Sequence, residues 1–209
     1  MSRLMPAAIM VGFVILLSGG CNSFSPRPDP SRFFTLSALP VGDGAQASDP
    51  TDREKISLGI GPVKFPGYLD RQEIVVRSAQ NRFQVSEYER WAEPLDENFT
   101  RVLSQNLAIL LQTDWVVPYP WLNSRKPNFQ IEIEVLHFEP NAARDVELAA
   151  RWLVIDGRNK QPLNLKESRL TRHVNQRSTE ASVAALSDTV ADLSREIANA
   201  VRAINGKMK

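Results

Sequence analysis

The sequence is poor in the residues that carry catalysis and cross-linking. Of 209 residues, one is cysteine and two are histidine. Lys and Arg number 25 against 24 Asp and Glu. A lone cysteine cannot close an intramolecular disulfide, and a zinc cage built on cysteines is excluded. The balanced charge gives no reason to follow a phosphate backbone, so no nucleic-acid partner is expected. No apolar run reaches the ~20 residues of a membrane-spanning helix. His137 and His173 lack the companions of a metal motif, and each reads as a structural histidine within a strand. Gly59-Ile60-Gly61 runs into Pro62 instead of a helix start, so it is no phosphate cradle. Glu93, Asp96 and Glu97 cluster where a helix begins, which is ordinary dipole chemistry. No G-x-S-x-G elbow occurs. An enzyme is therefore not expected, and neither is a cofactor or metal.

What is present begins at the N-terminus. Arg3 precedes the eleven-residue apolar run Ala7–Leu17, and Ser18, Gly19 and Gly20 follow. Residues 1–20 read as a secretory signal. The other reading, a buried helix, is opposed by Gly19-Gly20 and the prolines beyond. Leu17-Ser18-Gly19-Gly20-Cys21 resembles the lipobox of bacterial lipoproteins, although Ser18 stands where Leu is usual. By that resemblance Cys21 is the lipidation site, its covalent lipid being the membrane anchor. Several acyl chains at ~0.8 kcal/mol per buried CH₂ would hold the protein for its lifetime. Asn22 follows, not the Asp that resembles an inner-membrane retention signal. That points to the outer membrane, facing the periplasm, with the periplasmic face of the inner membrane as the alternative.

Residues 21–32 carry three Pro and three Ser and read as an extended tether of up to roughly 34 Å. Residues 33–209 read as one domain. Phe33–Leu36 and Ile56–Val63 are strand candidates, and Glu73–Ser78 with Arg82–Ser86 forms a hairpin candidate. Residues 40–55 read as a surface loop. Leu95, Phe99, Val102, Leu103, Leu107, Leu110 and Leu111 define one face of a helix over Pro94–Gln112. Phe129–Val135, Val146–Val154 and Leu163–Val174 predict an antiparallel meander. Val183, Leu186, Val190, Leu193, Ile197, Val201 and Ile204 predict a second long helix, with Gly206 as its C-cap. Its apolar stripe suits docking on its own sheet or a seam with a neighbouring subunit. The sum is an α+β fold, a mostly antiparallel sheet with a strand meander, covered by two long amphipathic helices.

Two aromatic loops are candidate partner-binding surfaces, one holding Tyr68 and Leu69, the other Tyr119, Trp121 and Leu122. Trp121 could instead fold back onto the core. Four segments together resemble one family. They are Phe33–Leu36, then Gly59–Val63 with Pro66, Tyr68–Arg71 and Ile74-Val75, then Trp91–Leu95 running on to Asn106-Leu107, and last the C-terminal amphipathic helix. The pattern is similar to the ABC-type transport auxiliary lipoproteins, the PqiC/YmbA-like family. The resemblance implies a role in lipid traffic across the periplasm. The partners it implies are an MCE-domain protein and its inner-membrane transporter, with a homo-oligomeric ring as the assembled form. The competing expectation is a tethered lipid carrier with its own apolar cavity between sheet and helices.

Overall fold

The computed structural model describes residues 29–42, 56–121 and 126–208. The signal segment, Cys21, most of the tether, most of the 40–55 loop and Leu122 lie outside the described residues. A compact unit starts at Ser31.

The period-two segments become the longest strands. β6 (Phe129–Pro140), β7 (Asp145–Asp156) and β8 (Pro162–His173) form the antiparallel meander. The sequence reading did not foresee parallel neighbours at the near edge. There β2 (Leu58–Lys64) pairs in parallel with β6 on one side and with β5 (Val116–Pro118) on the other. The result is a five-stranded mixed sheet in the order β5-β2-β6-β7-β8. A smaller sheet holds the predicted hairpin, β3 (Glu73–Ala79) with β4 (Arg82–Trp91), and adds β1 (Arg32–Phe34) in parallel to β4.

β6 changes phase part-way. Ile131, Ile133 and Val135 face the helices, and continued alternation would send His137 and Glu139 the same way. A register shift between Val135 and His137 prevents this. Such a bulge inserts one unpaired residue and turns the following side chains to the other face. Phe138 therefore enters the core, where its ring meets Phe99 edge-on at 5.4 Å, and His137 and Glu139 face away.

The helices cover one face of the large sheet. α1 (Leu95–Leu111) packs on β2 and β5, α2 (Thr179–Lys207) on β6, β7 and β8, and the two helices on each other. All seven apolar residues expected to form the α1 face are buried. Asp96 and Glu97 sit in the first turn of α1, complementing its dipole. The Ser178 hydroxyl accepts from the Ala181 amide at 3.1 Å and caps α2. Gly206 is not the C-cap. α2 continues through it to Lys207 and closes at Met208, whose amide donates to the Ile204 and Asn205 carbonyls. These right-handed closing bonds make a left-handed glycine unnecessary.

Phe33–Leu36 divides into two parts. β1 stops at Phe34, and residues 35–39 run as a strap held by α1 and α2. Asn98 Oδ1 accepts from the Leu36 amide at 2.9 Å, and Asn106 Oδ1 accepts from the Leu39 amide at 2.7 Å. Ser187 Oγ accepts from the Ser37 amide at 3.1 Å. Both asparagines are fully buried. They supply the partners that a neighbouring strand would otherwise supply.

Candidate functional site

The two aromatic loops come together around the first turn of α1. Gly61 has φ 118°, a left-handed value that suits glycine, and a Cβ there would stand 2.8 Å from Tyr119 Cβ. A Cβ on Gly59 would stand 2.9 Å from the Trp121 ring and 2.7 Å from Pro127. The missing side chains on β2 thus let the 118–121 segment lie against it. Trp121 folds back over Gly59 and meets Tyr119 edge-on at 5.3 Å. Tyr119 remains 57% exposed. Between this wall and α1 lies an open groove of about 520 Å³. Ile60 to Val63 and Tyr119 line its apolar side, and Glu93, Asp96, Glu97 and Arg101 its charged side. A second groove of about 300 Å³ begins at Asp96 and runs along Phe65, Leu69, Asp70 and Arg71.

Charges on this rim are organised locally. Arg101 and the Asn98 amide both donate to Glu93. The Arg101 hydrogen bond outweighs the cost of burial, and the Glu93 carboxyl is held below its ordinary range. Asp96 and Glu97 form no ion pair among the described residues and give the groove an acidic lip.

Tyr68 and Leu69 share one short 3₁₀ turn and go separate ways. Leu69 is 4% exposed and packs into the core, at the floor of the second groove. Tyr68 is half-buried. Its ring stacks on Phe83 at 4.4 Å, and its hydroxyl donates to Glu139 Oε2 at 2.7 Å. Arg77 lies over the other aromatic partner, 4.5 Å from the Phe83 centroid. The Glu139 side chain is only 2% exposed and every lone pair has a donor. Arg77 donates to Oε1 through Nε at 2.8 Å and Nη2 at 2.5 Å, and the Phe138 amide donates to Oε2 at 2.8 Å. Burial, then the hydrogen bond to Glu139, pushes the Tyr68 phenol well above its ordinary range. This network ties the small sheet to β6. Nothing in the sequence spacing points to it, because Tyr68 and Arg77 stand more than sixty residues from Glu139.

Glu93, His137 and His173 each have a separate partner. Glu93 is occupied by Arg101. His137 Nδ1 accepts from Arg77 Nη2 at 2.9 Å, and His173 Nδ1 pairs with Asp145 at 2.7 Å. Among the described residues, Phe99, Leu103, Leu107, Ile131, Leu148 and Leu193 are fully buried in the layer between sheet and helices.

A family model described as "ABC-type transport auxiliary lipoprotein component" matches residues 34–198. Two solved structures share the fold. One, described as the crystal structure of an uncharacterized protein, is 18% identical with a TM-score of 0.67, covering 82% of this chain and 98% of its own. The other, protein XCC0632 from Xanthomonas campestris of the DUF330 family, is 14% identical with a TM-score of 0.66, covering 85% and 98%. No curated protein matches the chain.

Proposed function

The chain belongs to the ABC-type transport auxiliary lipoprotein components, and from that premise we propose that it docks an intermembrane lipid-transport tube at the outer membrane. Family membership makes it a membrane-anchored periplasmic lipoprotein serving a transport system. In our reading, the anchor is the lipid on Cys21, the membrane is the outer one, and the partner is an MCE-domain protein driven from the inner membrane. The protein acts by binding, without a reaction of its own, and works as a homo-oligomer.

One observation carries the proposal. The segments that resemble the family most distinctively, Gly59–Arg71 and Trp91–Leu95, are far apart in sequence yet line the same pair of grooves. A surface joining an exposed tyrosine, apolar β2 residues and an acidic lip suits a protein partner carrying apolar and basic side chains. Tyr119 is assigned to this surface as the direct contact and Trp121 as its support, and Tyr68, held by Glu139 and Phe83, stands beside it without lining either groove. Leu122 would extend it.

Affinity capture of the full chain from membranes in mild detergent tests this reading. An MCE-domain protein should be recovered, and Tyr119→Ala with Glu97→Lys should lower its recovery about tenfold or more. Repeated capture without any such partner removes the proposal. Cys21→Ala should leave the fold intact and release the protein to the soluble fraction. Retention on membranes at high salt would remove lipidation as the anchor.

A further inference from the structure

The two edges of the large sheet differ. β5 has three residues and ends in Pro118, a short and blunted edge. β8 has twelve residues, and no described strand pairs with its outer side. Its backbone donors and acceptors on that side form a template for another strand. We propose that this edge pairs with β8 of a second copy, antiparallel about a two-fold axis, with Ser168 opposite Ser168 of the second copy.

Charge complementarity selects the occupant and the register. A two-fold normal to the sheet keeps equivalent faces together, so odd residues oppose odd ones and even oppose even. With Ser168 on the axis, Glu167 faces Arg169 of the second copy, and Arg169 faces its Glu167. Sliding by two residues one way puts Glu167 on Glu167, and by two the other way puts Arg169 on Arg169. Like charges directly opposite are destabilising. The chosen register also overlaps nearly the whole strand. The even side raises no obstacle, because Lys166 is held by Glu196 at 2.8 Å and Arg172 by Asp192 at 2.5 Å, both on α2. On the odd side the pairing extends an existing ladder. Arg151 already joins Glu134 at 3.0 Å and Glu167 at 3.3 Å, and Arg169 joins Glu147. Charged residues on an edge usually discourage pairing. Here their order is self-complementary, so they discourage the registers two residues to either side, and registers further out lose strand overlap. Leu165, 66% exposed, would face Thr171 of the second copy and lose part of that exposure.

The pairing rests on β8 alone, and its failure would leave the docking reading untouched. Two differently tagged full-length copies, one E167C and one R169C, should be co-expressed and oxidised in membranes. Opposed residues stand about 4.5–5.5 Å apart, within disulfide reach. Residues two places out of register stand about 7–8 Å apart, at its limit or beyond. The expected result is a mixed disulfide at least tenfold more abundant than either self-pair. In a charge swap, E167K and R169E copies should each lose self-association at least tenfold, and should recover it when mixed. That recovery also shows that both variants fold. Equal cross-linking in all combinations, no cross-linking in any, or a different protein captured at positions 167 and 169 overturns the proposal.

Discussion

The two sheets of this protein are held by different physics. The large sheet is secured by apolar area, in a layer where Phe99, Trp152, Leu193 and Ile197 are almost wholly out of water. The small sheet places fewer apolar side chains against the rest of the protein, chiefly Ile74, Val75, Trp91 and Phe34, and relies more on polar groups. Arg77, Tyr68 and Glu139 join it to β6, and Asn98 and Asn106 hold the strap that leaves it. Apolar packing tolerates exchange of one side chain for another of similar volume. A buried carboxylate does not, because loss of one partner leaves a charge without compensation. The large sheet should therefore fail globally and the small sheet locally, and four experiments can break or sharpen that contrast.

The largest effect is expected for Phe99→Ala, which removes a ring in edge contact with Phe65 and Phe138. A cost of about 3–5 kcal/mol should appear in chemical denaturation as one cooperative transition. A cost below about 1 kcal/mol would show that the layer collapses around the gap. Arg77→Met comes next. Arg77 is partly exposed, so the loss is set at about 2–3 kcal/mol, below that of a fully buried pair. Amide exchange should accelerate in β3 and β4 while β6 and β7 stay protected. Equal acceleration in both sheets would abolish the distinction. Third, Asn98→Ala leaves the Leu36 amide without its acceptor and should cost about 1–3 kcal/mol. Faster exchange should centre on residues 36–39.

The smallest effect is a dependence on pH. A tyrosine ionises near pH ~10 when unfolded, and Tyr68 resists ionisation in the fold, first through burial and then through Glu139. A raised folded value contributes stability that is complete below ~10 and is lost as pH climbs toward that value. Wild type should therefore lose stability between pH 9 and 11 more steeply than Tyr68→Phe. Parallel curves for the two proteins would remove Tyr68 from the account.

The same contrast explains what the sequence revealed. Both helices, the hairpin and the meander announce themselves by period, since each buries one apolar stripe or face. The parallel strands do not, because β2 finds β5 and β6 some sixty and seventy residues later. The bulge in β6 is invisible for a related reason. Val135-Leu136-His137-Phe138 contains no glycine or proline to mark it, and only the gain from burying Phe138 decides the phase. Asn98 and Asn106 were hidden inside an otherwise correct helix. Of the candidate site, the two aromatic loops were legible, one bounded by Pro118 and Pro127 and the other following Pro66-Gly67. That Tyr119 faces out and Trp121 folds back depends on the room left by Gly59 and Gly61. Cys21 remains an inference from its neighbours in sequence.

The strap behind β1 has a mechanical consequence. In the docking reading proposed above, a pull between the lipid anchor and the partner would enter the compact unit at Ser31. β1 lies alongside β4 and is loaded along its own length, so its hydrogen bonds share the pull instead of opening one at a time. Arg32 adds two ion pairs at the point of loading, to Glu89 at 2.5 Å and to Glu180 at 3.0 Å. Whatever force passes β1 meets the amides clamped by Asn98 and Asn106 two turns apart on α1. In that reading the buried asparagines would act as a strain relief, stopping the pull before it reaches the sheet that shapes the grooves.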